Sequence, residues 1–177
     1  MTAERMFSRL DSITKNHCER VKNLSIQVAL KGRLPENDLK MIGLAAQYHD
    51  IGKLMVSDKV LNKKGKLTTA EFLEIKKHTL FGEQLMAPYF NNTVCSIIKY
   101  HHENEDGTGY YSLKGDKIPI CSKIIHICDV FDALVNDRPY KKGWEKTKAV
   151  QFIKDNSGDM FDIKWSQFFL QTIKKAG

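Results

Sequence analysis

The sequence predicts an all-α fold, and three observations carry that expectation. Apolar residues recur at steps of three and four through most of the chain, no stretch shows the alternation of a half-buried strand, and glycine and proline punctuate the periodic segments. With 177 residues the chain is long enough to bury a sizeable core. It reads as a single helical bundle domain of about seven helices over residues 1–177, without linker or internal repeat.

The first stripe, Phe7, Leu10, Ile13, His17, Val21, Leu24 and Val28, describes one face of a long first helix that Gly32 and Pro35 end. A second helix begins near Asn37 or Asp38, runs through Met41, Leu44, Ala45 and Tyr48 to His49, and stops at Gly52. Residues 53–67 read as a loop turning at Lys63-Lys64-Gly65. Thr68-Thr69-Ala70-Glu71 matches a capping box, in which a hydroxyl and a carboxylate satisfy free backbone N–H groups. It opens a third helix with the stripe Phe72, Ile75, His78, Gly82 and Leu85, closed by Pro88. A fourth helix from about Thr93 carries Val94, Ile97, Ile98, His101 and His102 on one face. Residues 103–119, with Gly107, Gly109, Gly115 and Pro119, form an irregular loop. A fifth helix spans about Ile120 to Val135, and two shorter ones are expected near 145–155 and 162–175.

Composition narrows the function classes. The apolar fraction of 42% and charged fraction of 28% are those of a soluble globular protein. No run approaches the ~18–20 apolar residues of a membrane span and no signal-peptide core opens the chain, so a cytoplasmic protein without membrane contact is expected. Cys18, Cys95, Cys121 and Cys128 form no CxxC pair and read as reduced packing residues. The net charge of +7 favours anionic partners. Lys59, Lys63, Lys64 and Lys66 cluster loosely, without the basic-aromatic pattern of a nucleic-acid track. A small anionic nucleotide suits this charge better than a nucleic-acid polymer.

Five of the six histidines fall where the helical period points inward. One inward histidine is more often a hydrogen-bonded core residue than a ligand. Five of them on four helix faces, with Asp50 and Asp129, are costly to bury unless paired or ligated. A metal centre satisfies all of them together. The mixed imidazole and carboxylate set suits Fe, Mn, Zn, Co or Ni. His49 and Asp50 diverge by about 100° on a helix, so the carboxylate can bridge two ions while the imidazole holds one. Seven candidate ligands exceed one tetrahedral zinc and suit two ions sharing a carboxylate. Such a pair, roughly 3.5–4 Å apart, activates a water and clamps phosphoryl oxygens, so no Ser-His-Asp nucleophile is required. Lys53, one turn beyond His49, can neutralise a phosphate or donate a proton; its bland alternative is an exposed lysine capping a helix end.

The motif His49-Asp50-Ile51-Gly52-Lys53, followed by His101-His102-Glu103 and Gly107-Thr108-Gly109-Tyr110, resembles the HD-GYP family of HD-superfamily phosphodiesterases. The likeness continues through Ile118-Pro119, Asp129-Val130-Phe131-Asp132-Ala133-Leu134 and Asp137-Arg138-Pro139-Tyr140. It also takes in His17-Cys18-Glu19-Arg20-Val21 and the stretch from Gly158 to Asp162, nearly the whole chain. The resemblance implies an all-α domain that hydrolyses cyclic di-GMP to linear pGpG, in some members onward to GMP, with two divalent ions, Fe or Mn foremost and Ni, Co or Zn as alternatives. It implies His17, His49, Asp50 and Asp129 on one ion, and His78, His101 and His102 on the other, with Asp50 bridging. Lys53 matches the catalytic lysine, which with Asp50 makes up the catalytic pair, and Tyr110 lies in the signature loop near the substrate. Arg138 and Lys141 match positions that contact substrate phosphate. His126 matches no ligand position and reads as structural.

Two departures from the family pattern stand out. The signature here is Gly109-Tyr110-Tyr111 rather than Gly-Tyr-Pro, and loss of the proline removes a backbone constraint, which would loosen the loop or alter base selection. A glutamate that supports a third metal in some members is replaced by Ile13, so two ions are expected. Asp132, three residues beyond Asp129, either orients a ligand or pairs with Arg138, and Glu103 poses the same question. Two further readings stay open: a phosphodiesterase for cyclic GMP-AMP or another nucleotide phosphate, and a non-catalytic nucleotide-sensing module. A regulatory partner protein or a homodimer is also left open.

Overall fold

Asp11 divides the first apolar stripe into two helices. Its carboxylate accepts the Thr14 N–H at 2.9 Å and the Thr14 hydroxyl at 2.6 Å, a cap that typically contributes about 1 kcal/mol. The expected long first helix is therefore α1 (Ala3–Phe7) followed by α2 (Ser12–Lys31). Ile13, assigned to the inward stripe, is 52% exposed because it lines an open cavity beside His17 instead of the core. The structure, a computed structural model, describes residues 2–137 and 142–175.

The chain continues through α3 (Glu36–Tyr48), a 3-10 turn (Ile51–Met55) and α4 (Asp58–Leu61). The segment expected as a plain loop over 53–67 thus contains most of that 3-10 turn and a short helix. Next come α5 (Thr69–Lys76), α6 (His78–Met86) and α7 (Asn92–Lys99). The capping box at Thr68 and Glu71 forms as expected. The single helix expected to follow it is split at Lys77, and Phe72, placed on its inward stripe, is 45% exposed. After a second 3-10 turn (Gly115–Lys117) come α8 (Ile120–Val135), α9 (Lys146–Asp155) and α10 (Ile163–Lys175). Ten α-helical segments stand among the described residues, against about seven expected. The class agrees; the extra segments come from the two splits and from α4. No strand forms among the described residues, only an isolated bridge between Ser157 and Phe161.

α2 packs on α3, α8 and α10, while α6 packs on α7 and on the 3-10 turn after α3. Val21, Val28, Ile42, Ala45, Ile124 and Ile127 are fully enclosed where these helices meet. Full burial of each Val or Ile side chain is worth about 1.5–3 kcal/mol. α8 is buried almost all round, as a helix apolar on every side must be. Its polar residues Lys123, His126, Asp129 and Asp132 recur every third position and form one row along it. That row turns acids toward α2. The four cysteines are buried and free, and among the described residues no helix is long and apolar enough to cross a membrane.

Candidate metal centre

Three histidines stand at or just past the C-terminus of a helix, each held by one local device. At a helix C-terminus the last carbonyls lack intrahelical partners. His49, at the end of α3, donates from Nδ1 to the Ala46 carbonyl at 2.8 Å. His78, just past α5, does the same to Ile75 at 2.7 Å, and His101, just past α7, to Ile98 at 2.6 Å. A carbonyl can only accept, so Nδ1 carries the proton in all three rings and Nε2 is left with a bare lone pair. All three Nε2 atoms are buried without a hydrogen-bond partner. This corrects the expectation that His101 and His102 lie on the face of α7: they follow its end, and the break at Lys77 arises as the chain passes from Ile75 to His78.

The three bare nitrogens converge. The His49 ring lies 5.0 Å from that of His101, and His78 lies 5.4 Å from His101 and 5.2 Å from His102, centroid to centroid. Asp50 sits between them. Its Oδ1 is 3.5 Å from His78 Nε2, while its Oδ2 faces His49 Nε2 at 3.5 Å and His17 Nε2 at 3.7 Å. Lys53, one turn of 3-10 helix onward, donates to the same Oδ2 at 2.6 Å. Asp129 of α8 closes the far side, with Oδ1 3.0 Å from His17 Nε2 and Oδ2 3.8 Å from His102 Nδ1. The seven sequence-predicted ligands are therefore brought together. Three donor groups within them are tight enough to hold an ion: His17, His49 and Asp50; His78, His101 and His102; and His49, His101 and Asp129.

The electrostatics match a cation-binding role. Burial pushes the Asp50 carboxyl up, but Lys53 and the rings of His49, His78 and His17 outweigh it and hold Asp50 well below the usual carboxylate range. Asp129 behaves likewise, burial being overcome by its contact with His17. Burial and neighbouring imidazoles lower His101, and burial lowers His78 and His102, so these rings are neutral with lone pairs available. His17 differs. Burial lowers it, yet Asp129 and Asp132 together raise it to about 9.

Asp132, left between two roles by the sequence, holds His17: Nδ1 donates to its Oδ2 at 2.7 Å. Its cationic partner among the described residues is Arg20, one turn along α2, which donates from Nε at 2.7 Å and Nη2 at 2.9 Å. Sequence reasoning misses Arg20, although its spacing from His17 matches that of Asp132 from Asp129, one i,i+3 step on each facing helix. Glu103 is buried away from the cluster and accepts the backbone N–H groups of Tyr111 at 2.6 Å and Leu113 at 2.7 Å. His126 bonds Asn104 at 3.0 Å, and burial lowers it to about 4. Its ring lies 6.0 Å from that of His102, and it belongs to none of the three donor groups. Arg138 and Lys141 lie outside the described residues.

A cavity of about 370 Å³ opens over the cluster, with Asp50, Lys53, His78, His102, Tyr110 and Asp129 at its base and Ile75, Val130, Ala133 and Leu134 as apolar wall. Tyr110 packs on His102 at 4.7 Å between ring centroids. Lys53 also borders the neighbouring cavity that holds Ile13, His17 and Arg20. The arrangement can bind a small polyanion against one ammonium and several metal-ligating groups.

The geometry describes an HD domain, and sequence comparison agrees: the HD-domain family model matches residues 2–164, so the chain belongs to that family. Among its relatives is the cyclic di-GMP phosphodiesterase PA4108 of Pseudomonas aeruginosa, 36% identical over 166 residues, which cover 92% of this chain and 40% of the relative. The 3'3'-cGAMP-specific phosphodiesterase 3 of Vibrio cholerae is 36% identical over 147 residues, covering 81% of this chain and 32% of that protein. The chain thus spans well under half the length of these relatives. The same fold occurs in Bd1817, an HD-GYP-type protein from Bdellovibrio bacteriovorus, with a TM-score of 0.74 at 22% identity over 90% of this chain and 52% of that one.

Proposed function

We propose that residues 1–177 form a single metal-dependent phosphodiesterase domain that opens cyclic di-GMP to linear pGpG. The observation that carries this reading is the convergence of the bare, buried Nε2 atoms of His49, His78 and His101 on the two carboxylates Asp50 and Asp129. Unsatisfied buried lone pairs are costly, and a cation relieves all of them. His17, His49, Asp50 and Asp129 would hold one ion, and His78, His101 and His102 the other, with Asp50 offering one oxygen to each set. Divalent Fe or Mn best suits a nitrogen and carboxylate set without thiolates. Such ions supply polarisation of the phosphoryl oxygens and a water acidic enough to attack at neutral pH.

The chain's own groups do the rest. Hydrolysis to a 5'-phosphate breaks one phosphorus–O3' bond, and the departing oxygen needs positive charge or a proton. Lys53 is an ammonium whose pKa is raised, since Asp50 outweighs the opposing effect of burial, and a quarter of its side chain faces the cavity. It is suited to neutralising the phosphate or donating that proton. Tyr110 and the apolar residues Ile75, Val130, Ala133 and Leu134 give the cavity a wall on which a base could pack. Arg138 and Lys141 would add phosphate contacts. Free, buried cysteines accord with a cytoplasmic setting.

Cyclic GMP-AMP is the second reading, supported by the cGAMP-specific relative and by Tyr111 in the signature loop. Side-by-side hydrolysis of cyclic di-GMP and 3'3'-cyclic GMP-AMP by anaerobically purified, Fe- or Mn-loaded protein tests both, with the His49→Ala/Asp50→Ala variant as control. Turnover of cyclic di-GMP to pGpG is expected. Saturable binding without turnover in either metal would overturn the enzymatic reading.

A further inference from the structure

Tyr111 stands where the resembling family has proline, and the freedom a proline would remove is taken up by three contacts. Its backbone N–H donates to Glu103 Oε1 at 2.6 Å, a bond no proline can make. Its hydroxyl lies 2.8 Å from Thr79 Oγ1. Thr79 has one hydroxyl proton and donates it to the Lys76 carbonyl at 3.0 Å, so Tyr111 is the donor and Thr79 the acceptor. The Tyr111 ring meets Tyr100 edge-on at 5.6 Å, with the Lys99 ammonium 5.7 Å from its centroid.

These partners sit on the elements that carry the histidines. Thr79 is fully buried and follows His78 in α6, while Lys99 and Tyr100 end α7 just before His101. The next residue back, Tyr110, points the other way, packing on His102 at 4.7 Å and meeting Phe72 edge-on at 6.2 Å. Gly109 makes this approach feasible: a Cβ there would lie 2.5 Å from Glu103 Cα and 2.8 Å from the His102 carbonyl oxygen. The loop is thus pinned just after Tyr110, by Glu103 through the Tyr111 and Leu113 amides and by Thr79 through the Tyr111 hydroxyl.

We propose that Tyr111 is a positioning residue: its hydroxyl clasps the signature loop to Thr79 of α6 and so holds Tyr110 against His102 as one wall of the substrate cavity. The clasp does the work of the proline by tertiary contact instead of by ring closure. It acts on substrate fit rather than on the metal ligands. This inference rests on the phosphodiesterase reading for its kinetic consequence, but not for its structural one.

The test is a cycle of Tyr111→Phe, Thr79→Val and the double variant in the full chain. Loss of one hydrogen bond of ordinary strength should raise KM for cyclic di-GMP roughly fivefold in each single variant, with kcat and metal content unchanged. The double variant should be no worse than either single one, because both remove the same contact. Hydrogen exchange of the Tyr111 and Leu113 amides should quicken in all three, whether or not the chain turns over this substrate. Additive effects, or unchanged exchange at both amides, would overturn the clasp. Quickened exchange in a chain that hydrolyses no cyclic dinucleotide would uphold the clasp and overturn only the phosphodiesterase reading. Equal losses in kcat and metal content would show a general structural role and overturn the inference.

Discussion

His17 and Asp132 meet at 2.7 Å through the ring nitrogen that faces away from the cluster, which leaves His17 Nε2 3.0 Å from Asp129 and 3.7 Å from Asp50. The carboxylate that orients the ring is itself held by the two Arg20 nitrogens. One contact therefore sets the tautomer and the direction of the histidine that α2 contributes. Partners of this kind commonly govern metal affinity by 10–100-fold.

Asp132→Ala should accordingly weaken binding of Mn by about 10–100-fold, and Arg20→Ala should have a smaller effect in the same direction. Calorimetric titration of the demetallated protein measures both. Unchanged affinity in Asp132→Ala would remove the orienting role.

Asp50→Asn keeps the shape of the bridge candidate while removing its charge, and should lower bound metal below two ions per chain and abolish turnover. Lys53→Met, by contrast, should retain metal and lower kcat by about 10²–10⁴-fold. Elemental analysis alongside product formation separates the two variants. Three ions per wild-type chain would overturn the two-ion reading based on Ile13.

Gly52 carries no side chain because a Cβ would lie 1.9 Å from the His78 carbonyl oxygen and 2.5 Å from the Gly82 nitrogen. Gly52→Ala should separate the 3-10 turn from α6, destabilising the chain by about 3 kcal/mol as overpacking does. The His49–Asp50 pair would move away from His78 with it. Denaturant unfolding gives the first quantity, and loss of metal at unchanged ligand composition reports the second.

At the other end of α5, Lys63, together with the Thr68 N–H, draws the Glu71 carboxyl down to about 2. A folded-state pKa below the unfolded value means stabilisation present above about pH 4.5 and lost as pH falls through about 2. Glu71→Gln should therefore lower the melting temperature at neutral pH and converge with wild type by about pH 2. The carboxylate is exposed, so the difference at neutral pH should be small and should shrink in high salt. A gap that persists at pH 2 would exclude the charge as its origin.

Much of this site is legible in the sequence. Helical period puts His17, His49, His78 and Asp129 inward, and Asp50 next to His49, because which side of a helix a residue faces is decided by local geometry alone. The bounds of α8, Ile120 and Val135, coincide with those the apolar run predicts. The histidines at helix ends are harder, since His101 and His102 continue the stripe of α7 in sequence while the chain has already left the helix. Nothing local distinguishes a histidine on the last turn from one that caps it. Ile13 and Phe72 mislead for a related reason. Both keep the period, but Ile13 lines a cavity and Phe72 meets the edge of Tyr110 at the surface, and a period cannot tell core from cleft.

The sequence by itself determined the all-α class, the capping box at Thr68 and which histidines and aspartates the fold brings into one cluster. These depend on residue type and on spacings of three or four, which a helix converts directly into proximity. Tertiary structure alone decided that Asp132 holds His17 together with Arg20, that Gly52 must admit the backbone of α6, and that Tyr111 is fastened to Thr79. Each is a contact between segments distant in the chain, set by how closely two backbones approach and which donors remain unspent when they do.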